Sequence, residues 1–281
     1  MNHFNRRDFV LNGAGALAVC SIGPVALSQQ ASPDSRPAVT AAKVENMLRG
    51  QFEGTLTCVR TPESIDGPYY LESSMQRRAL TEGRRGIRVR LGITVANAMI
   101  EGNTCAPLPG AIVDVWQADA EGLYSNVTAD LQADVRGSDT SGATFLRGHQ
   151  VADDNGYVEF DTIVPGWYIG VMPPPVNVIA RTPHVHVKVF HDYKVSTTQL
   201  YFPDPFLEEV YANVEPYAAH RLLTLPGHAR RYERIRNTED GTFIADKSDP
   251  MRIEREGDGV FAAATIGVVT LGSKGISPLF R

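Results

Sequence analysis

Apolar and polar residues alternate along several stretches of the chain after residue 86. In residues 87–95 the odd positions are all Ile, Val or Leu and the even positions are polar or small. This is the two-residue period of a half-buried strand. Further apolar runs of strand length, separated by clusters of Gly, Pro, Asn and Asp, lie at residues 111–116, 158–160, 185–189 and 261–269. The pattern predicts a chain built mainly of strands.

Helical spacing of apolar residues appears in two short stretches. One is residues 207–214, just after Pro205, and the other is residues 39–50. Strands dominate the rest, and the composition shows no domain boundary after residue 50. We therefore predict one mainly β domain, a two-sheet antiparallel β-sandwich with one or two peripheral helices.

The composition and net charge of the chain indicate what kind of molecule the protein binds. Of the 281 residues, 43% are hydrophobic and 21% are charged, which is ordinary for a globular protein. The net charge of −5 lacks the clustered basic excess that nucleic-acid binding needs. Beyond the N-terminus, no apolar run reaches the length of about 18 residues expected of a membrane-spanning helix. We expect a small-molecule partner, no nucleic acid, and no membrane span in the mature protein.

The N-terminus has the features of an export signal. Arg6 and Arg7 precede Phe9, and residues 13–27 are weakly apolar and uncharged. This pattern is typical of a twin-arginine signal, and it does not suit a structural amphipathic helix, because the segment has no polar face. Small residues at alternate positions place cleavage near Ser28. The predicted segments are a signal peptide at residues 1–28, a leader with a short helix at residues 29–57, and a β-sandwich domain at residues 58–281.

Export by the twin-arginine machinery, to a periplasm or out of the cell, has two consequences. The route typically carries proteins that are already folded, often with a cofactor inserted, so a bound cofactor is expected. Cleavage also removes Cys20 and leaves Cys58 and Cys105. Two cysteines in an oxidising compartment are more often paired than free, so we predict a disulfide between them.

His184 and His186 flank Val185 inside one of the predicted strands. Residues two apart on a strand point to the same face, so both imidazoles lie on one side and Val185 faces the other. Two histidines in this arrangement can share a metal ion. The motif alone also occurs as two surface or core histidines, so it leaves both interpretations open.

Several groups of residues accompany this histidine pair in a fixed order. They are Thr61-Pro62, Gly67-Pro68-Tyr69-Tyr70, residues 107–125, Thr144-Phe145-Leu146-Arg147-Gly148, residues 181–186, and Thr198-Gln199-Leu200-Tyr201-Phe202. Together they resemble the intradiol ring-cleavage dioxygenases, which include the catechol 1,2- and protocatechuate 3,4-dioxygenases. The resemblance runs from about Cys58 to the C-terminus. It is strongest to the exported subgroup, which lacks the long N-terminal helical dimerisation region.

The resemblance implies a mononuclear, non-haem iron(III) site. Its ligands would be Tyr124, Tyr168, His184 and His186. Phenolate is a hard anionic donor that favours ferric over ferrous iron, and imidazole binds most first-row metals. Two phenolates and one hydroxide would cancel the three positive charges of the ion, which suits a partly buried site.

The resemblance also implies a reaction. A catechol-type aromatic and O2 would be the substrates, and both oxygen atoms would enter a ring-opened cis,cis-muconate-type product. Tyr168 would be the ligand that substrate displaces, and its phenolate would accept a proton. Arg181 would bind substrate and stabilise developing negative charge, and Gln199 would orient the reactants. Tyr69 and Tyr70 lie in a motif that the family places near the pocket, so they are candidates to bind substrate, although packing alone would also explain them.

One segment departs from the family pattern. Residues 169–180 separate Tyr168 from Arg181 and contain Pro173-Pro174-Pro175, whereas exported relatives run almost directly from the tyrosine to the arginine. A proline run does not fit a central strand. We expect a loop here, either at the mouth of the site or in solvent without substrate contact.

Two other functions fit part of the sequence. A non-catalytic periplasmic β-sandwich module would bind an aromatic or a carbohydrate ligand, but it gives no reason for two tyrosines beside a His-x-His pair. A zinc or copper hydrolase or oxidase would use His184 and His186, but no matching carboxylate or third histidine motif lies nearby. Trp116 is expected in the core, and Asp114 and Asp119 receive no role. A homo-oligomer is compatible with the sequence.

Overall fold

The computed structural model describes residues 60–72, 74–98, 105–130, 132, 138–171, 178–224 and 231–269. The predicted signal peptide, the leader with its helix, and Cys58 lie outside the described residues, as does the side chain of Cys105. The predicted cleavage site and disulfide therefore stay predictions.

Strands dominate the described residues, as the alternating pattern predicts. In chain order the thirteen strands are β1 (Arg88–Ala98), β2 (Cys105–Pro107), β3 (Ile112–Gln117), β4 (Arg147–Val151), β5 (Tyr157–Ile163), β6 (Tyr168–Val171), β7 (Val178–Arg181), β8 (His184–His191), β9 (Lys194–Tyr201), β10 (Leu222–Thr224), β11 (Arg231–Glu233), β12 (Arg252–Glu256) and β13 (Gly259–Val268). The mainly β class is confirmed.

Strand β1 is the centre of a five-stranded sheet. One edge of β1 pairs with β13, which pairs in turn with β12, and the other edge pairs with β5 and β2. The pairs are antiparallel except for β1 with β13, which run parallel from Val89 and Val260 to Asn97 and Val268. The sheets are therefore mainly antiparallel, as expected, with this one parallel pair in the five-stranded sheet. Parallel neighbours need a long connection, and here most of the domain lies between β1 and β13.

A four-stranded antiparallel sheet in the order β4-β3-β8-β9 lies against the same core. Its two faces differ sharply in chemistry. Valines on one face share a hydrophobic core with the apolar residues of β1, β5 and β13, and these are Val113, Val115, Val185, Val187 and Val189. The opposite face carries buried polar and aromatic side chains, among them Asp114, Trp116, Arg147, His184, His186, Lys188, Gln199 and Tyr201. The sheet therefore separates the core from a polar layer.

Strands β6 and β7 form a two-stranded hairpin in the segment expected to be a loop. Four antiparallel pairs join them, from Tyr168 with Arg181 to Val171 with Val178. The loop prediction is wrong at both ends of residues 169–180, because cross-strand pairing continues up to the proline run, which lies outside the described residues. The hairpin places Tyr168 directly opposite Arg181.

Among the residues that the structure describes, two short α-helices lie at the periphery, together with a 3-10 turn at Asn237–Glu239. Helix α1 (Asp204–Asn213) occupies the predicted position, with Pro205 in its first turn. Helix α2 (Gly241–Asp246) begins after Asp240, whose carboxylate accepts hydrogen bonds from the first backbone amides. The prediction of one or two peripheral helices is confirmed. Within the part of the chain that the structure describes, no helix is long and apolar enough to span a membrane.

Candidate metal centre

His184 and His186 lie side by side on β8, with Val185 between them in the core. Each side chain is 1% exposed, and their Nε2 atoms are 3.0 Å apart. Burial, together with the positive charge of Arg181, lowers both pKa values well below the ordinary 6.5. Both rings are therefore neutral at neutral pH, which is the form in which imidazole binds a metal.

Different contacts orient the two rings. Nδ1 of His184 donates to the Thr182 carbonyl at 2.6 Å, which leaves the lone pair on Nε2. Nδ1 of His186 has no hydrogen-bond partner among the described residues, and its ring instead stacks on Trp116 at 4.8 Å with an interplanar angle of 8°. A Cβ at Gly67 would lie 3.4 Å from Cε1 of His186, and the φ of +71° at Gly67 also favours glycine.

Tyr124 and Tyr168 place two buried phenols beside these imidazoles. Tyr124 follows β3 and Tyr168 begins β6, and their rings meet edge to face with centroids 5.4 Å apart. The Tyr168 hydroxyl is 3.4 Å from Nε2 of His184. Burial raises the pKa of both phenols above the ordinary value. Each phenol therefore keeps its proton until a metal ion displaces it.

The two imidazoles and two phenols fit a metal ion. Two nitrogen atoms that each lie about 2.1 Å from one ion can be no more than about 4.2 Å apart, and the Nε2 atoms of His184 and His186, 3.0 Å apart, meet this condition. The Tyr124 hydroxyl is buried without a hydrogen-bond partner among the described residues, so its oxygen is an unused donor. No group of three His, Cys, Asp or Glu side chains in the described ranges could hold a metal. The phenol oxygens of Tyr124 and Tyr168, beside the imidazoles, could complete a donor set.

Arg181 lies beside this donor set and is buried. Its Nε donates to Asp240 at 2.9 Å, and a terminal nitrogen donates to the amide oxygen of Gln199. The same amide oxygen accepts from the Tyr201 hydroxyl at 2.8 Å. Burial opposes the charge, but Tyr168, Asp240 and Tyr201 outweigh it and raise the pKa of Arg181. The guanidinium therefore stays charged next to the phenols.

Residues 60–70, the covering segment, run past the donor set. The ring of Tyr69 stacks on Tyr124, with centroids 4.5 Å apart and an interplanar angle of 26°. The Ile65 carbonyl accepts a hydrogen bond from Nε2 of Gln199 at 3.2 Å. The structure thus brings the predicted residues Tyr69 and Gln199 to the site together.

Tyr70, also predicted to bind substrate, lies behind Trp116 instead. Its ring packs on Trp116 at 4.8 Å, and Nζ of Lys188 lies 3.7 Å from its centre. Its hydroxyl is 3.5 Å from a carboxylate oxygen of Asp114. Burial first, and then the neighbouring carboxylates, raise the pKa of Tyr70 to about 12. The structure does not bring this side chain into the donor set.

Comparison with known proteins identifies the family. An intradiol ring-cleavage dioxygenase from Tetranychus urticae superposes with a TM-score of 0.59 at 28% identity, over 76% of this chain and 96% of that one. The sequence model of a dioxygenase family, described as "Dioxygenase", matches residues 65–230. The protocatechuate 3,4-dioxygenase beta chain of Burkholderia cepacia is 32% identical in an alignment of length 217 that covers 72% of this chain and 85% of that protein. The chain belongs to the intradiol dioxygenase family.

The family match encloses every residue of the donor set. A second relative, the chlorocatechol 1,2-dioxygenase of Rhodococcus opacus, is 27% identical over 176 residues, which are 59% of this chain and 63% of that protein. The chain thus spans just under two thirds of this second relative. Family membership and the two-sheet fold rest on the matches to the dioxygenase family and to the Tetranychus enzyme.

Three residues around the candidate metal centre of this family member were not assigned to the site from the sequence. Trp116 was expected only in the core, yet it stacks on His186. Arg147 received no role, yet it is buried beside Tyr69. Asp240 binds Arg181 from a distant part of the chain. The ion pair between Asp240 and Arg181 depends on tertiary packing between distant segments, for which the sequence carries no signal.

Proposed function

We propose that this protein is an iron(III)-dependent intradiol dioxygenase. It opens the ring of a catechol-type aromatic between the two hydroxyl-bearing carbons, and both atoms of O2 enter a cis,cis-muconate-type product. The observation that carries the proposal is the convergence of two neutral imidazoles and two buried phenols, with the Nε2 atoms 3.0 Å apart. A binding module has no use for this arrangement.

The chemistry of the donors supports ferric iron as the bound metal. Tyr124, Tyr168, His184 and His186 would hold it, and two phenolates compensate most of the charge of a trivalent ion in a buried site. When bound, the iron supplies Lewis acidity and a site where catechol and O2 are activated. The names of the relatives, protocatechuate and chlorocatechol dioxygenases, support catechols as the substrate class.

The side chains of this protein then bind substrate and move a proton. The pKa of Tyr168 is raised by burial, so its phenolate is a strong base for a catechol hydroxyl proton. Arg181 stays charged and stabilises negative charge that develops on the ring. Gln199, held between Arg181 and the Ile65 carbonyl, fixes the orientation of that cation and of the substrate.

The test compares the purified wild type with two histidine variants on β8. We expect a red to brown protein with one ferric ion per chain, oxygen uptake with catechols, and ring-opened products by mass analysis. His184→Ala should lose colour, iron and oxygen uptake together, whereas His191→Ala, at the far end of the same strand, should keep all three. A wild type that stays colourless after ferric reconstitution would refute the proposal.

We also propose that the protein is exported by the twin-arginine machinery. The support is the Arg6-Arg7 pair and the uncharged apolar stretch that follows. N-terminal sequencing of protein from the periplasm or medium should find a start near residue 29. Replacing both arginines by lysine should retain the precursor inside the cell. Mature protein outside the cell in that variant would contradict this route.

A further inference from the structure

Arg147, the first residue of β4, is a buried cation with an unusual set of partners. Its side chain lies among packed residues and is 5% exposed. Its three hydrogen bonds to described residues all go to uncharged oxygen atoms. Nε donates to the Ser125 hydroxyl at 2.8 Å, and the terminal nitrogens donate to the carbonyls of Tyr69 at 2.6 Å and Ser125 at 2.8 Å.

These bonds join two parts of the chain at the metal centre. Ser125 directly follows the predicted ligand Tyr124, and Tyr69 belongs to the covering segment. The rings of Tyr69 and Tyr124 stack at 4.5 Å. The guanidinium therefore fixes the backbone on one side of the ligand and the ring that packs on it. Arg147 also pairs across the sheet with Trp116, which pairs with His186 on its other side.

An arginine at position 147 suits the positions of these three acceptors, whereas the stability of the fold alone does not require one. A guanidinium presents five N–H donors in a rigid fork and reaches three separate acceptors at once, whereas a lysine ammonium is a compact charge on a flexible stem. Burying a cation costs several kcal/mol of desolvation, and apolar replacements of buried charges are often neutral or stabilising. Packing alone therefore does not require arginine at this position.

We propose that Arg147 is a positioning residue for the metal centre, which ties Ser125 to the Tyr69 carbonyl and so holds Tyr124 in its ligand position under the Tyr69 ring. The inference rests on the proposed function, because it assumes that Tyr124 binds the metal. Among the described residues, the hydrogen bonds of the Arg147 side chain go to Ser125 and Tyr69 and not to the four candidate ligand side chains. Arg147 acts through Ser125 and Tyr69.

The test measures ferric iron release to a chelator and the visible absorption band. Arg147→Lys keeps the charge but loses the fork, so we expect iron release about 10- to 100-fold faster, the usual effect of removing a partner that supports a ligand. The band should shift because the Tyr124 oxygen moves. Arg147→Ala should behave in the same way, and added guanidinium should restore slow release. Arg90→Lys is the matched control, a largely buried arginine on β1 that pairs with Glu256.

A purely structural role gives different results. In that case Arg147→Lys would lower the melting temperature while iron release and the band stay at wild-type values, and this result would overturn the proposal. If the arginine variants do not fold, Ser125→Ala removes one acceptor of the fork and should still speed release by up to about 10-fold. Wild-type release from that variant would also overturn the proposal. A wild type without iron would instead refute the proposed function, and with it this role of Arg147.

Discussion

Tyr168 is the predicted ligand whose replacement tests the donor set most directly. In Tyr168→Phe the ring that packs on Tyr124 remains, while one anionic donor and one base are lost. Tyr124, His184 and His186 still offer three donors, so we expect partial retention of iron. The visible band should weaken or shift, and turnover should fall by about 10²- to 10⁴-fold, the usual contribution of a positioned base.

The measurement combines iron content, spectrum and turnover on one preparation of Tyr168→Phe. Tyr193→Phe is the control, because Tyr193 is fully exposed on the turn after β8. An unaltered spectrum with full activity in Tyr168→Phe would show that Tyr168 is not a ligand. Loss of stability alone would point to a packing role instead.

The candidate ligands were predictable from the sequence, but their supports were not. Strand alternation places His184 and His186 on one face, and the resemblance to the dioxygenase family implies that both histidines and both tyrosines are ligands. Trp116 and Arg147 lie near these ligands because of the register of β4, β3 and β8. That register pairs Arg147 with Trp116 and Trp116 with His186 across the sheet. Register depends on pairing between distant segments, so no local pattern reveals it.

The covering segment is anchored to β9 through two carboxylates. Glu63 accepts from the Thr197 amide at 3.1 Å, and Asp66 accepts from the Thr197 hydroxyl at 2.7 Å. Asp66 also forms an ion pair with Lys188 at 2.7 Å. Because Tyr69 belongs to this segment, these carboxylates help to keep its ring on Tyr124. The anchoring should therefore depend on their ionisation.

Asp66→Asn should lower the melting temperature at neutral pH. Burial raises the pKa of Asp66, but hydrogen bonds from Lys188 and Thr197 outweigh it and lower the pKa below the ordinary 3.8. The stabilisation that the ionised Asp66 carboxylate gives to the folded protein is therefore present at pH values above the ordinary pKa of 3.8. It is lost as the pH falls through the lower pKa that Asp66 has in the folded protein. Melting curves across pH should show the gap to wild type narrowing in that acid range. Glu254→Gln, exposed on β12, is the control, and a constant gap for Asp66→Asn would count against the anchor.

At the level of elements, the sequence predicted β1, β3, β8, β13 and α1, because each has a clear apolar period. It missed the hairpin of β6 and β7, since the proline run between them suggested a loop. It also did not indicate which strands of the mainly antiparallel sheets run parallel, as β1 and β13 do. Both points concern which strands pair, whereas the positions of the strands were readable from local spacing.

For the whole molecule, removing iron should lower thermal stability. The four candidate donors come from three separate segments, which contain Tyr124, Tyr168 and the His184–His186 pair, so metal binding there favours the folded state. At a free ferric ion concentration 100 times the Kd, binding raises the free energy of unfolding by about 2.7 kcal/mol. This corresponds to a rise of roughly 5–10 °C in Tm for a domain of this size. Calorimetry of iron-loaded and iron-free protein measures it. His184→Ala should show no such gain, and an equal gain in that variant would place the metal elsewhere.

The cysteine pair is a second prediction for the whole molecule. Cys58 and Cys105 would join the start of the domain to β2 at the edge of the five-stranded sheet. Peptide mapping without reductant, on protein collected after export, should find the two cysteines in one linked peptide. Two free thiols in that material would rule the bridge out.

The two-faced character of β8 has a consequence for how substitutions would be tolerated along it. Val185, Val187 and Val189 fill the core, while His184 and His186 face the metal centre. In a library of all single substitutions, polar replacements at the valines should reduce the cellular abundance of the protein and its activity together. Replacements at the histidines should abolish activity and leave abundance largely intact. The two phenotypes would alternate from one codon to the next between residues 184 and 187. A genetic screen alone would therefore show which residues of β8 face the core and which face the candidate metal centre.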